Sequence, residues 1–282
     1  MHLSLVTPSY SGHLRHFENL AASINQFGED AQHIDWLVVI DSCDASRFDA
    51  VAKDCVANIQ ILTTEVILEG FGITEAPDAF LRRVGKFTFQ SVKKLGALIR
   101  AETDWSLVLD SETVFHKPFR FEDILADYAE RKYVFYSETQ PRGDIWKANL
   151  GHHVNMSTSE ILGVDAEDRW YLEYFHWFYE RKWVKKMLEA LKEPLFDRYL
   201  TDTNSSSPDI FENILYYNFL EYHGGVDDGY EFCDIFERIS DLLPDRLAHR
   251  FIMSELPFSA FGNDYILSVC RPEDVSLLMR LF

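Results

Sequence analysis

The sequence predicts an α/β protein with a mixed, mostly parallel sheet flanked by helices. Three observations carry this. Short apolar runs alternate with helical patterns through residues 3–140. Those runs are continuous rather than alternating, as strands buried on both faces require. The 282 residues, 47% apolar and 15% aromatic, supply a large core without disulfide or metal staples.

The elements follow in order. Leu3-Ser4-Leu5-Val6 reads as a strand that ends in a turn-rich loop, Thr7-Pro8-Ser9-Tyr10-Ser11-Gly12. Residues 13–26 carry a helical stripe of Leu14, Phe17, Leu20 and Ile24. Trp36–Ile40 is a buried strand that stops at Asp41, and Ile59–Leu62 and Val66–Leu68 are weaker strands. After Arg82-Arg83-Val84-Gly85-Lys86 the spacing of Phe89, Val92, Leu95 and Ile99 predicts a helix of ~15 residues. Asp104–Glu112 reads as a buried strand ending in acids, followed by a helix over 121–131 and a strand over 132–136. Residues 167–191 are dense in rings at helical spacing and predict a long helix, and a last helix is expected over 209–222. No internal repeat and no linker divides the chain, so one domain over 1–282 is expected.

Charge narrows the function. There are 27 Lys+Arg against 46 Asp+Glu, a net charge of −19. Nucleic acid and anionic membrane both need a positive footprint, so neither is an expected partner. Cys43, Cys55, Cys233 and Cys270 form no CxxC pair and read as free thiols, which points to a reducing, cytoplasmic setting. No apolar run reaches the ~20 residues of a membrane span, and the N-terminus lacks the pattern of a signal peptide. GxSxG, GxxxxGK[ST], GxGxxG and HExxH are all absent.

The sharpest chemical signal is Leu107-Val108-Leu109-Asp110-Ser111-Glu112. Ligands of open α/β sheets bind beyond the carboxyl ends of strands. Two carboxylates there repel unless a cation or other partners satisfy them. Oxygen ligands suit Mg²⁺ or Mn²⁺, which share substrate phosphates. The alternative is an acidic turn that caps the next segment. These residues, with the Thr7-Pro8-Ser9-Tyr10 loop and the acid Asp41, resemble the nucleotide-sugar-dependent glycosyltransferases of GT-A fold. The resemblance covers residues 3–140, with Glu112 where that family more often has Asp.

It implies a GT-A-like, Rossmann-like fold: residues 1–140 hold the nucleotide sugar, and a helical region over 141–282 takes the acceptor. It implies that Asp110 contacts ribose or metal and that Glu112 binds a Mn²⁺ or Mg²⁺ bridging the diphosphate. Thr7, Pro8 and Tyr10 would line the nucleobase pocket, with Asp41 beside base or ribose. Arg82, Arg83 and Lys86, the basic cluster ahead of this strand, would reach phosphate, or else form a solvated helix start. The donor would be a nucleotide-diphosphate sugar, a UDP-sugar first, and the acceptor a glycan or glycoconjugate hydroxyl.

Pro208-Asp209-Ile210-Phe211-Glu212 resembles the family's second acidic region. There Glu212, ahead of Asp209, would take the acceptor proton in an inverting displacement; both acids could instead cap the helix. His152 and His153 could shape an acceptor pocket, and His223 or His249 could complete a metal site. Two other classes compete. A sugar nucleotidyltransferase would carry a basic Gly-rich loop after the first strand. A non-catalytic glycan-binding protein on the same scaffold would bind no nucleotide diphosphate.

Overall fold

The computed structural model describes residues 2–138, 145–165, 169–171, 177–203, 208–234, 260–262, 266–269 and 271–276. Its centre is a five-stranded sheet of β1 (Leu3–Pro8), β2 (Asp35–Ile40), β3 (Asn58–Thr63), β4 (Trp105–Val108) and β8 (Phe178–Glu180), in the order β3-β2-β1-β4-β8. The first four strands are mutually parallel, and β8 runs antiparallel along β4. Every residue of β1 and β4 is buried, as continuous apolar runs demand.

Helices α1 (Leu14–Phe27) and α2 (Ala45–Ala52) make the first two crossovers. The stripe read from the sequence faces inward: Phe17 lies 5.1 Å from the ring of Trp36 and 5.1 Å from that of Phe48. Each such fully buried ring contributes about 1.5–3 kcal/mol relative to exposure. Helices α3 (Thr64–Gly70) and α4 (Pro77–Arg100) make the third crossover. Helix α4 is kinked, because Gly85 sits at φ 80°, ψ 167°, outside the helical region. A second helical body of ~15 residues therefore starts after Gly85, the length the spacing predicts.

Beyond the sheet, β5 (Thr113–Phe115) pairs with β11 (Ile266–Val269), which pairs with β10 (Ala260–Gly262). Helix α5 (Phe121–Arg131) is capped at a distance by Asp30, whose carboxylate accepts from the amides of Phe121 (2.8 Å) and Glu122 (3.0 Å). Strand β6 (Tyr133–Glu138) pairs with β7 (Arg169–Trp170) and β9 (Glu231–Asp234). Helices α6 (Ile145–Leu162), α7 (Arg181–Ala190) and α8 (Glu212–Tyr222), with a π-helical stretch over Lys192–Leu200, lie among the described residues of the second half.

Four expectations need correction. Val66–Leu68 lies in α3, not in a strand, because Thr63 caps it by accepting from the Val66 amide at 3.4 Å. The ring-rich run 167–191 is not one helix. Its described residues form β7, β8 and then α7 from Arg181, and β8 closes the edge of the sheet against β4. The last helix starts at Glu212 rather than at residue 209. Ile99 is 40% exposed and does not join the buried stripe of α4.

Candidate active site

Connectivity locates the crevice. From β1 the chain steps to β2 and β3 on one side, then crosses to β4 on the other. The carboxyl ends of β1 and β4 therefore diverge, which is where open α/β sheets bind ligands. Pairing runs one residue beyond each strand, through Ser9 N to Val39 O (2.9 Å) and Leu109 N to Val6 O (2.9 Å). Tyr10, Asp41 and Asp110 thus emerge at the same edge.

The second half of α4 sends two adjacent lysines there, Lys93 and Lys94, 3% and 6% exposed. Lys94 Nζ lies 3.0 Å from Asp110 Oδ1 and 2.9 Å from Glu212 Oε1. Burial alone would lower its pKa, but the two carboxylates outweigh that and raise it, so Lys94 stays charged. The Ser91 hydroxyl accepts from the Glu212 amide (3.1 Å) and turns its proton toward Glu212 Oε2 (3.0 Å) and the Ile210 carbonyl (3.0 Å). Both oxygens of Glu212 are engaged. Burial, then Lys94's opposing pull, then Glu112 and Glu212, set the Asp110 pKa, and the balance raises it. The buried Tyr179 hydroxyl has no hydrogen-bond partner among the described residues, although the charges of Glu212 and Asp110 act on it.

Lys93 faces the other wall. Its Nζ donates to the Ser9 carbonyl at 2.7 Å and lies 3.8 Å from Asp41 Oδ1. Thr64 Oγ1 donates to that same Asp41 oxygen at 2.5 Å. Glu112 takes a third set of partners. His13 Nδ1 lies 2.8 Å from Ser111 Oγ and 3.5 Å from Glu112 Oε2. Against the cost of burial, the His13 contact and the backbone hold the Glu112 carboxyl below its ordinary range. The Tyr10 ring lies 4.3 Å from that of His13.

Residues 1–245 match the family described as "Family of unknown function (DUF6492)". The chain belongs to DUF6492. No curated protein matches this DUF6492 chain. Among solved structures it is similar to the galactosyltransferase LgtC in complex with donor and acceptor sugar analogs, at 13% identity over 99% of this chain and 96% of that one, TM-score 0.46. It is similar to mouse xyloside xylosyltransferase 1 in its apo form, at 10% identity over 83% and 84% of the two chains, TM-score 0.41. It is also similar to S. aureus TarS, at 14% identity and TM-score 0.39 over 66% of this chain, but it spans only 30% of the TarS chain.

In this DUF6492 chain the expected residues divide. Asp110 and Glu212 meet through Lys94, Asp41 stands beside Lys93, and Tyr10 and Glu112 meet through His13. Thr7 is fully buried, and its hydroxyl accepts from Trp36 Nε1 at 2.9 Å. Pro8 is also buried, inside β1. Arg83 has partners away from this edge. Its guanidinium is taken by Glu75 and by the carbonyls of Tyr199 (3.1 Å) and Leu200 (2.7 Å). Arg82 and Lys86 are exposed on α4 on either side of the kink. Asp209 is exposed and precedes α8, whereas Glu212 is 2% exposed. His152 and His153 are exposed on α6, and the His223 ring stacks on Phe219 at 4.3 Å. His249 and Cys270 lie outside the described residues; Cys43 and Cys55 are free thiols, and Cys233 is buried in β9.

Among the described residues, no three His, Cys, Asp or Glu side chains gather as a metal cluster. The donor set still fits a hard cation that brings phosphate with it. Asp110 and Glu112 keep side-chain exposures of 31% and 32%, and one oxygen of each has no ion-pair partner among the described residues. Mg²⁺ is commonly held by one or two carboxylates plus substrate phosphates. No described helix is long and apolar enough to cross a membrane. The residue that sequence reasoning missed is Lys94. Its signal was its spacing, two lysines set between the apolar stripe residues Val92 and Leu95.

Proposed function

We propose that this crevice binds a nucleotide-diphosphate sugar, a UDP-sugar first, and that the chain transfers the sugar to a glycan or other hydroxyl acceptor. The observation that carries the reading is the placement of Asp110 and Glu112, two partly exposed carboxylates, at the switch point beside two buried lysines. Asp110 and Glu112 would hold a Mn²⁺ or Mg²⁺, which when bound offsets charge developing on the leaving diphosphate. Tyr10 and Asp41 offer a ring and a carboxylate on the nucleoside side. Residues on the 141–282 side would receive the acceptor.

Glu212 takes a different part from the one the sequence suggests. A general base must reach the hydroxyl it deprotonates. Glu212 is enclosed and holds Lys94 against Asp110, so it acts as a positioning residue. Asp209, exposed beside the start of α8, is the carboxylate in that segment able to meet an acceptor. An inverting displacement then rests on Asp209.

A thermal-shift panel of nucleoside diphosphates and nucleotide sugars, with and without Mn²⁺, tests the reading. A ligand at 100 times its Kd stabilises by ~2.7 kcal/mol. At least one nucleotide should raise the melting temperature in a Mn²⁺-dependent way. A panel in which none does would sink the proposal.

A further inference from the structure

We infer that Lys93 is a positioning residue for the nucleotide: as an ammonium ion it fastens the loop after β1 to the end of β2, and loss of its charge weakens nucleoside-diphosphate binding. The inference rests on the proposed nucleotide-binding reading.

The geometry is closed on every side. Ser9 is held at its amide by the Val39 carbonyl (2.9 Å) and at its carbonyl by Lys93 Nζ (2.7 Å). Its own hydroxyl is buried at the lip of the crevice with no hydrogen-bond partner among the described residues. The next residue, Tyr10, is 42% exposed and lies over His13. Lys93 therefore sets where the one exposed ring of this loop stands. The stem of Lys93 runs through the core, with Nζ 5.4 Å from the centre of the Phe89 ring.

The charged groups facing it are all acids: Asp41 at the end of β2, Glu65 on α3 and Asp44 ahead of α2. A diphosphate approaching those carboxylates meets less repulsion while Lys93 is charged. Burial is the larger influence and brings Lys93 down to about 8, against the pull of the three acids. The signs then oppose each other. The folded value lies below that of an unfolded lysine, ~10.4. Between the two the unfolded chain binds more protons, so the fold gains stability as pH rises from about 8 toward ~10.4. Binding should fall over the first part of the same range. A charge is kept in the core at neutral pH at the expense of stability, which is the pattern expected of a functional group.

The test measures melting temperatures of wild type, Lys93→Met and Lys93→Arg from pH 7 to 9.5, each with and without UDP and Mn²⁺. Without nucleotide, wild type should gain on Lys93→Met as pH rises. With nucleotide, the wild-type affinity taken from the shift should fall by on the order of tenfold, the worth of one charge-assisted hydrogen bond over a neutral one. Lys93→Arg should keep its affinity across the range, and Lys93→Met should be weak throughout. Two outcomes overturn the inference alone: a melting difference that stays flat without nucleotide, or nucleotide shifts with the same pH dependence in all three proteins. Absence of any nucleotide shift at pH 7 in all three overturns the nucleotide-binding reading as well.

Discussion

Lys94 shows how one side chain organises a site. Two carboxylates, one of them 2% exposed, face a single ammonium in low dielectric. Removing one partner of a buried ion pair typically costs ~3–5 kcal/mol, because the remaining charge is stranded. Lys94→Met should lose about that much in chemical denaturation. Lys94→Met combined with Glu212→Gln should recover a large part of it, since the more deeply buried of the two stranded charges is gone. A single variant within ~1 kcal/mol of wild type, inside the range of exposed pairs, would show that the pair is not buried in solution. At this scale the sequence is half legible. Acids that end a buried strand are conspicuous, because nothing local satisfies them. A lysine in a helix looks like a solvated side chain unless its distance from the apolar stripe is counted. For Glu212 likewise, a sequence displays the carboxylate but not the ammonium beside it.

Two glycines of α4 do different work, and the difference can be measured. Gly85 holds φ 80° in open space, where an added Cβ would meet no atom within 4 Å. Gly96 has ordinary backbone, but a Cβ there would collide with the Ile67 side chain of α3. Gly85→Ala should cost ~1–3 kcal/mol through backbone strain alone, and truncating neighbours should not restore it. Gly96→Ala should cost ~1–3 kcal/mol through overpacking, and Ile67→Ala should relieve part of that. Thermal melts of the two glycine variants, each alone and combined with Ile67→Ala, decide whether kink and contact are separate features; rescue of Gly85→Ala by Ile67→Ala would contradict the account. Strands β1 to β4 and helices α1 and α5 are legible because each satisfies a simple periodicity. The run 167–191 is not, because rings favour a strand edge and a helix alike, and long-range pairing of Phe178–Glu180 with β4 decides between them.

Across the whole molecule a net charge of −19 opposes compactness, and local networks counter it. Lys182 (2.6 Å), Trp183 (2.9 Å) and Lys132 (3.3 Å) converge on Asp228 near the edge strand β8. Against the cost of burial they hold Asp228 down to about 2. Its folded value lies below that of an unfolded aspartate, ~3.9, so its contribution is complete above that and is lost as pH falls toward about 2. Wild type should therefore lose more stability than Asp228→Asn between pH 5 and 2 (roughly the span of the two values). Parallel acid titrations would contradict this. The central claim, that the crevice between β1 and β4 takes a nucleoside diphosphate on Asp110 and Glu112, is tested most directly by calorimetric titration of UDP with Mn²⁺. Wild type, Asp110→Asn and Glu112→Gln are compared. Wild type should bind with an affinity that depends on Mn²⁺, and each variant should lose at least ~10-fold, or 1.4 kcal/mol, and most of the Mn²⁺ response. Equal affinity and equal Mn²⁺ dependence in all three proteins would contradict the account.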